Sequence, residues 1–124
     1  MFRKAYPFIF LSATKSHLWN YLQFLLNDPE EKYIAYIQWL DKLSGVFKIV
    51  DPQGLARLWG QKKNIPKMNY DKMSRSLRNY YKNNKLKKVP GQRQVYQFIF
   101  SEENPAQIHP QVALYWQMIQ TQLK

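Results

Sequence analysis

The stretch MNYDKMSRSLRNYYKNNKLKK, residues 68–88, decides the fold and carries an unusual distribution of charge. At about 100° per residue around a helix axis, its apolar side chains fall on one side, namely Met73, Leu77, Tyr80 and Tyr81. The cationic and amide side chains fall on the other side, namely Lys72, Arg75, Arg78, Asn79 and Lys82. The sequence therefore predicts an amphipathic helix at 68–82, with one face in a core and the other free to meet a partner.

The excess positive charge of the chain is concentrated around this helix. The chain has 124 residues and a formal net charge of +11. Residues 57–93 contain twelve basic residues and a single acid, Asp71, so this segment alone carries +11 and the rest of the chain sums to zero. Such asymmetry indicates a polyanionic partner, which could be DNA, RNA or an anionic membrane.

DNA readout is one interpretation of the basic face. Arg75 and Arg78 are three residues apart on that face, so their guanidinium groups can reach different, neighbouring targets. A guanidinium is planar and forked, and it can pair bidentately with guanine O6 and N7. That base edge is displayed in the major groove of B-DNA, which admits an α-helix.

Three alternatives compete with DNA readout. A helix with one charged face is most often simply solvated. A membrane-surface helix exposes bulky apolar side chains to lipid, whereas here the apolar face is needed for a core, so a membrane partner is disfavoured. Modules that bind single-stranded RNA expose aromatic side chains for stacking. The aromatic residues here are in phase with helical cores, which disfavours RNA but leaves it open.

The composition does not predict an enzyme or a metal site. With 4 Gly in the chain there is no glycine-rich phosphate loop, and with no Cys there is neither a disulfide nor a zinc–thiolate site. His17 and His109 lie in different regions without a carboxylate in register, and the 8 acids form no convincing acid–base pair. We therefore expect no catalytic residue, cofactor or metal. The run YPFIFL (6–11) is also too short to span a membrane.

A helix and a hairpin are predicted before the basic segment. SHLWNYLQFLLNDPE (16–30) offers Ser16 as an N-cap and an apolar stripe at i, i+3, i+4 and i+7 from Leu18, typical of a helix packed on a core. The runs KYIAYIQWL (32–40) and GVFKIV (45–50) are rich in aromatic and β-branched residues. They predict a two-stranded hairpin.

A second, short helix leads into the basic one. Asp51 and Pro52 supply an N-cap and an N1 proline, and Gly60 is expected to end this helix. After the basic helix, KLKKV (85–89) and RQVYQFIF (93–100) predict a second hairpin. The order predicts an α+β fold of the winged helix-turn-helix type, with three helices packed on a small four-stranded antiparallel sheet.

The C-terminal segment is predicted to form a polar linker and an extra helix. Apolar side chains recur at helical spacing in PQVALYWQMIQTQLK, namely Val112, Tyr115, Trp116, Ile119 and Leu123. We expect a helix at 111–124 that packs on the domain's own surface, with Tyr115, Trp116 and Ile119 facing the body. The alternative is a protein-interaction or self-association helix, with the basic segment binding nucleic acid generically.

The central part of the chain resembles an Ets domain. LARLWGQKKNIPKMNYDKMSRSLRNYYKNNKLKKVPGQRQVYQF (55–98) resembles the DNA-recognition half of that domain. HLWNYLQFLL (17–26) and IQWLDKLSGVFKIVDPQGLARLWG (37–60) are similar to its first half. The resemblance covers about residues 16–99, and the string W-G-x-x-K-N-x-P-x-M-N-Y-x-K-M-S-R-x-L-R is long and highly specific.

The resemblance implies a domain at 16–100, between an N-terminal flank at 1–15 and the linker and amphipathic helix at 101–124. It implies a winged helix-turn-helix that binds double-stranded DNA with a GGA core, normally GGAA or GGAT, through helix 68–82 in the major groove. It also implies the DNA-binding domain of a transcription regulator in the nucleus.

The family pattern also implies a set of DNA-contacting residues. Arg75 and Arg78 match the two arginines that read the guanines. The positions that contact phosphates in relatives match Leu18, Trp59, Lys63, Tyr70, Lys72 and Lys88. At Leu18 the implied donor is a backbone N–H at the start of a helix, where free N–H groups and the helix dipole favour an anion.

Three positions depart from the family pattern. Asn79 stands where many relatives carry Tyr, and because Asn can pair with adenine N6 and N7 we include it among the base-contacting residues. Ile65 stands where many relatives carry Lys, which removes one phosphate contact. Gln94 replaces a frequent aromatic or aliphatic residue in the wing.

Overall fold

Four helices and four strands follow one another in the computed structural model, which describes residues 17–106 and 110–122. Their bounds are α1 Leu18–Leu26, β1 Ile37–Asp41, β2 Val46–Ile49, α2 Pro52–Lys63, α3 Tyr70–Lys82, β3 Leu86–Lys88, β4 Val95–Phe98 and α4 Pro110–Gln122. Among these described helices, none has the length and apolar character needed to cross a bilayer.

The strands form one antiparallel sheet in the order β1-β2-β4-β3. In its register Trp39 lies opposite Phe47, Phe47 opposite Tyr96, and Leu86 opposite Phe98. The two predicted hairpins, β1-β2 and β3-β4, are therefore joined edge to edge through β2 and β4. The α+β, winged helix-turn-helix prediction is confirmed.

One hydrophobic core joins the sheet to the first three helices. Phe47 is fully buried and stacks on Phe98, with ring centroids 4.5 Å apart. Leu22 from α1, Leu55 from α2 and Leu77 from α3 are at most 1% exposed and belong to the same cluster. Burial of each such side chain contributes about 1.5–3 kcal/mol, so this core fixes how α3 is presented.

Side-chain caps fix the start of α2 and α3 but not of α1. The carboxylate of Asp51 accepts a hydrogen bond from the backbone N–H three residues later at 3.0 Å, as predicted. Asn69 accepts the equivalent bond at 2.9 Å, so the basic helix begins at Tyr70, two residues later than predicted. The N-cap of α1 is His17, which makes no side-chain cap bond; the predicted cap, Ser16, lies outside the described residues.

The prediction that α2 ends at Gly60 is wrong. The helix continues to Lys63, and Asn64 ends it in the left-handed conformation with φ of 59°. Gly60 is buried, and a Cβ there would lie 2.7 Å from Met68 Cβ and 2.8 Å from the carbonyl oxygen of Ile65. The glycine is therefore needed for close approach of the turn that follows α2, rather than for terminating the helix.

The first predicted strand is shorter than expected. Residues 32–36 form turns, in which the Tyr36 N–H donates to the Tyr33 carbonyl at 2.9 Å, and pairing with β2 starts only at Ile37. The aromatic content at 32–36 therefore reflects packing rather than strand pairing, since Tyr33 and Tyr36 lie against the core, whereas Ile34 is 50% exposed.

The C-terminal helix α4 is present, but part of its predicted packing is wrong. Tyr115 is 63% exposed and does not pack against the body, and its neighbours Leu114 and Met118 are exposed to 62% and 60%. Ile119, also predicted to face the body, is half-buried. Five consecutive apolar residues, 112–116, surround the helix axis, so no single face can bury them all. Predictions outside what the structure describes concern 1–15, His109, Leu123 and the side chains of Val112 and Trp116.

Candidate nucleic-acid interface

The predicted two-sided character of α3 is confirmed. Met73 and Leu77 are buried at 0% and 1% exposure. On the opposite face Arg75, Arg78 and Asn79, the three predicted base-contacting residues, are exposed. The core therefore holds one side of the helix while three long or polar side chains point away from it.

The arginines of α3 lack a carboxylate partner in the part of the chain that the structure describes. The salt bridges found there join Lys32 to Asp28 and to Glu30, all of which precede the basic segment in the sequence. The nearest polar partner of Arg78 is the Ser74 hydroxyl, at 3.4 Å from Nη1. Since no carboxylate of residues 17–106 or 110–122 neutralises them, these guanidinium groups are available to an external anion.

The α2 residues predicted to contact phosphate lie together. The Lys63 ammonium sits 5.7 Å from the centroid of the Trp59 ring, within cation–π range. Trp59 is only 6% exposed and packs on Tyr21 at 5.3 Å between ring centroids, so it is also a core residue. Its indole N–H has no acceptor among the described residues, which leaves a donor for an external oxygen.

The start of α1 is tied to the end of α3. The Trp19 backbone N–H donates to the Tyr80 hydroxyl at 3.0 Å, and the Trp19 indole N–H donates to the Lys85 carbonyl at 3.0 Å. The Leu18 side chain is buried, so the group it can offer is its backbone N–H, which has no acceptor within the described ranges. The structure thus places the predicted Leu18 donor beside the basic helix.

Tyr70 and Lys72, both predicted to contact phosphate, differ in their exposure and in the hydrogen bonds that they make inside the protein. Lys72 is exposed, and its ammonium donates to the Lys67 carbonyl at 3.2 Å. The Tyr70 hydroxyl donates instead to Gln94 Oε1 at 2.9 Å. Burial, together with the neighbouring Tyr96 hydroxyl, raises the pKa of Tyr70, so the Tyr70 hydroxyl keeps its proton at neutral pH. That proton is already engaged inside the protein.

The wing supplies further exposed cations. Lys88, the remaining predicted phosphate contact, is exposed on β3 opposite Tyr96. Arg93 is exposed just before β4. Ile65, in the turn between α2 and α3, is 39% exposed and carries no charge, consistent with one fewer contact there.

Sequence reasoning missed how the tyrosines of α3 are used. Tyr80 and Tyr81 were expected simply to fill the core. The Tyr80 hydroxyl instead anchors α1, and the Tyr81 ring stacks on Tyr96 with centroids 6.0 Å apart. Burial raises the pKa of both hydroxyls. The linear sequence holds no signal for these contacts, because the Trp19–Tyr80 pair is 61 residues apart.

Comparison with known proteins gives a consistent picture. A profile of the Ets-domain family matches residues 15–99. The chain is 56% identical over 91 residues to Ets DNA-binding protein pokkuri of Drosophila melanogaster, an alignment that covers 73% of this chain and 12% of that protein. It is 54% identical over 82 residues to transcription factor ETV6 of Homo sapiens, covering 66% and 18%.

A third relative extends the comparison. The SAM pointed domain-containing Ets transcription factor of Mus musculus is 52% identical over 89 residues, which covers 71% of this chain and 27% of that protein. In each case the matched region spans only between 12% and 27% of the relative. The similarity therefore concerns one domain of longer proteins.

Proposed function

Since the chain belongs to the Ets-domain family, we propose that it binds double-stranded DNA at sites with a GGA core followed by A or T. Ets domains are DNA-binding domains without enzymatic activity. In this proposal the chain is the DNA-binding domain of a transcription regulator, and it acts in the nucleus. No cofactor or metal takes part.

The observation that carries the proposal is the pair of exposed arginines on α3. Arg75 and Arg78 have no carboxylate partner among the described residues and share one face of the helix. Three helical residues rise about 4.5 Å, which is comparable with the roughly 3.4 Å between successive bases of one strand. Two guanidinium forks can then pair with the O6 and N7 atoms of adjacent guanines.

Asn79 and the exposed lysines complete the proposed interface. The Asn79 carboxamide, next to Arg78, can pair with the N6 and N7 atoms of an adenine that flanks the guanines. The groups proposed to hold phosphates are the Leu18 backbone N–H, the Trp59 indole N–H and the side chains of Lys63, Lys72 and Lys88. The Tyr70 hydroxyl, which the family pattern also implies, already donates its proton to Gln94. Such contacts set the register of α3 on the duplex and carry no sequence information themselves.

Competition binding tests this proposal. The chain should bind a GGA duplex more tightly than a duplex of equal length in which the guanines are replaced. If about six phosphates are neutralised, log K should fall with log salt at a slope of roughly −5. Equal affinity for both duplexes would reduce the activity to generic nucleic-acid binding, and indifference to salt would refute the electrostatic part.

The exposed apolar side chains of α4 favour a second function, protein interaction or self-association. Leu114, Tyr115 and Met118 are all at least 60% exposed. Sedimentation of the chain alone and with DNA separates the possibilities. A mass of two copies that returns to one copy on Leu114→Ser substitution supports self-association, whereas a single copy at all concentrations rules self-association out.

A further inference from the structure

Three polar side chains, the Tyr70–Gln94–Tyr96 triad, meet between the first residue of α3 and strand β4. The Tyr70 hydroxyl donates to Gln94 Oε1 at 2.9 Å, and the Tyr96 hydroxyl donates to the same oxygen at 3.4 Å. The two hydroxyl oxygens are 3.5 Å apart. The triad therefore links the recognition helix directly to the wing hairpin.

The Gln94 carboxamide has its Oε1 toward both hydroxyls of the triad. Both hydroxyls donate to Oε1, so the amide nitrogen, with its two hydrogens, is the end that remains free. Within the described residues this nitrogen has no acceptor. The backbone is also anchored, because Gln94 adopts a left-handed conformation with φ of 61° and its carbonyl accepts from the Ile49 N–H at 2.9 Å. A half-exposed donor is thus held in a defined place.

The surroundings of this donor favour an anion. Arg93 precedes Gln94, and Lys88 lies opposite Tyr96 in the sheet. Lys72 lies in the first turn of α3, two residues after Tyr70, and all three cations are exposed. The basic segment holds one acid, Asp71. A neutral amide among these cations can donate to an oxygen of a polyanion, and because it carries no charge it does not add to the repulsion between the neighbouring cations.

We propose that Gln94 is a DNA phosphate-binding residue, whose amide nitrogen donates to one backbone phosphate of the site, with Tyr70 and Tyr96 as positioning residues. The inference rests on the proposed function. It reassigns the phosphate contact expected at Tyr70, because the Tyr70 proton is already donated to Gln94. It also gives a role to a residue that departs from the family pattern.

The test uses GGA duplexes in which each phosphate in turn is replaced by a neutral methylphosphonate. The wild-type chain should lose about tenfold in affinity at the phosphate that Gln94 contacts, the scale of one hydrogen bond to a charged group. Gln94→Leu should weaken binding of the unmodified duplex by a similar factor. It should then be indifferent to the methylphosphonate at that one position while keeping its response at the others.

A charge-reversal variant gives an independent readout. Gln94→Glu, which has nearly the same shape, should bind the unmodified duplex more weakly than Gln94→Leu does, because a carboxylate would face a phosphate. The methylphosphonate at the same position should restore much of that loss. A loss that is equal on modified and unmodified duplexes would mean that Gln94 acts only through the fold, and it would overturn the proposal.

Tyr70→Phe separates the positioning role from direct contact. If Gln94 is the ligand, Tyr70→Phe should reduce but not abolish the response at the same phosphate. If Tyr70→Phe abolishes the response and Gln94→Leu preserves it, Tyr70 is the ligand and the proposal fails.

Gln97→Leu is the matched control, since Gln97 lies on the same strand and its amide already donates to the Ser44 carbonyl at 2.8 Å. The Gln97→Leu variant should bind every duplex with the same affinity as the wild-type chain. The proposed function fails separately, when the wild-type chain does not prefer GGA. If the chain prefers GGA but Gln94→Leu keeps the wild-type response to a methylphosphonate at every position, only this inference is overturned.

Discussion

Two helices of equal length, α3 and α4, show what apolar spacing does and does not determine. Each has 13 residues and apolar residues at helical spacing. In α3 Met73 and Leu77 are buried in the core, and the free face carries cations. In α4 there is no charged residue, and Leu114, Tyr115 and Met118 are exposed.

The difference lies in what each helix is given to pack against. The apolar residues of α3 occupy one side, so the sheet and the other helices can bury that side completely. Those of α4 run consecutively through 112–116 and cannot all face one surface. Spacing predicts a helix in both cases, whereas burial depends on a complementary surface elsewhere in the fold.

The largest expected effect is on the free energy of unfolding, and a matched pair of methionine truncations tests it. Met73 in α3 is 0% exposed and Met118 in α4 is 60% exposed. Met73→Ala should lower the free energy of unfolding by about 2–5 kcal/mol, through lost burial and a cavity. Met118→Ala should change it by less than about 0.5 kcal/mol. Urea unfolding of both variants measures this, and equal losses would show that α4 is packed as firmly as α3.

A smaller effect is expected at the start of α3. Asn69→Ala removes the acceptor for the Lys72 N–H and should cost about 1 kcal/mol of stability. Asn69→Gly is the matched control and should cost only a few tenths of a kcal/mol, because glycine is tolerated at N-caps. Thermal unfolding would reveal this difference, and a larger loss for the glycine variant would argue against the cap.

A small effect is also expected when α4 is removed. If Tyr115, Trp116 and Ile119 all faced the body, as the sequence predicts, losing this helix would cost a few kcal/mol. With Tyr115 exposed, truncation after residue 106 should change the free energy of unfolding of the remaining domain by less than about 1 kcal/mol. A loss of several kcal/mol in urea unfolding would restore the original packing prediction.

Much of the fold could be predicted because local signals agreed with one another. The Asp51 cap, the two hairpins and the two-sided basic helix each have a clear sequence pattern, and the structure confirms them. The end of α2 could not be predicted, because Gly60 is required by contact with Met68 and Ile65 rather than by local chain geometry. That contact exists only once the chain is folded.

The candidate site was predictable in part for the same reason. The exposure of Arg75 and Arg78 follows from helical periodicity. The engagement of Tyr70 by Gln94 does not, since it links residues 24 positions apart through a strand that had no predicted relation to α3. The roles of individual residues on DNA remain predictions, which binding measurements on variants can address.

The most direct test of DNA readout by α3 compares Arg78→Ala with Lys88→Ala in competition between a GGA duplex and one with its guanines replaced. Arg78→Ala should remove about 1–3 kcal/mol of discrimination, and Arg78→Lys should also lose discrimination because an ammonium cannot form the planar fork. Lys88→Ala should lower the affinity for both duplexes by the same factor and reduce the salt slope by about 1. If Arg78→Ala instead lowered the affinity for both duplexes by the same factor, α3 would be a generic cationic face and the claim of direct readout would be contradicted.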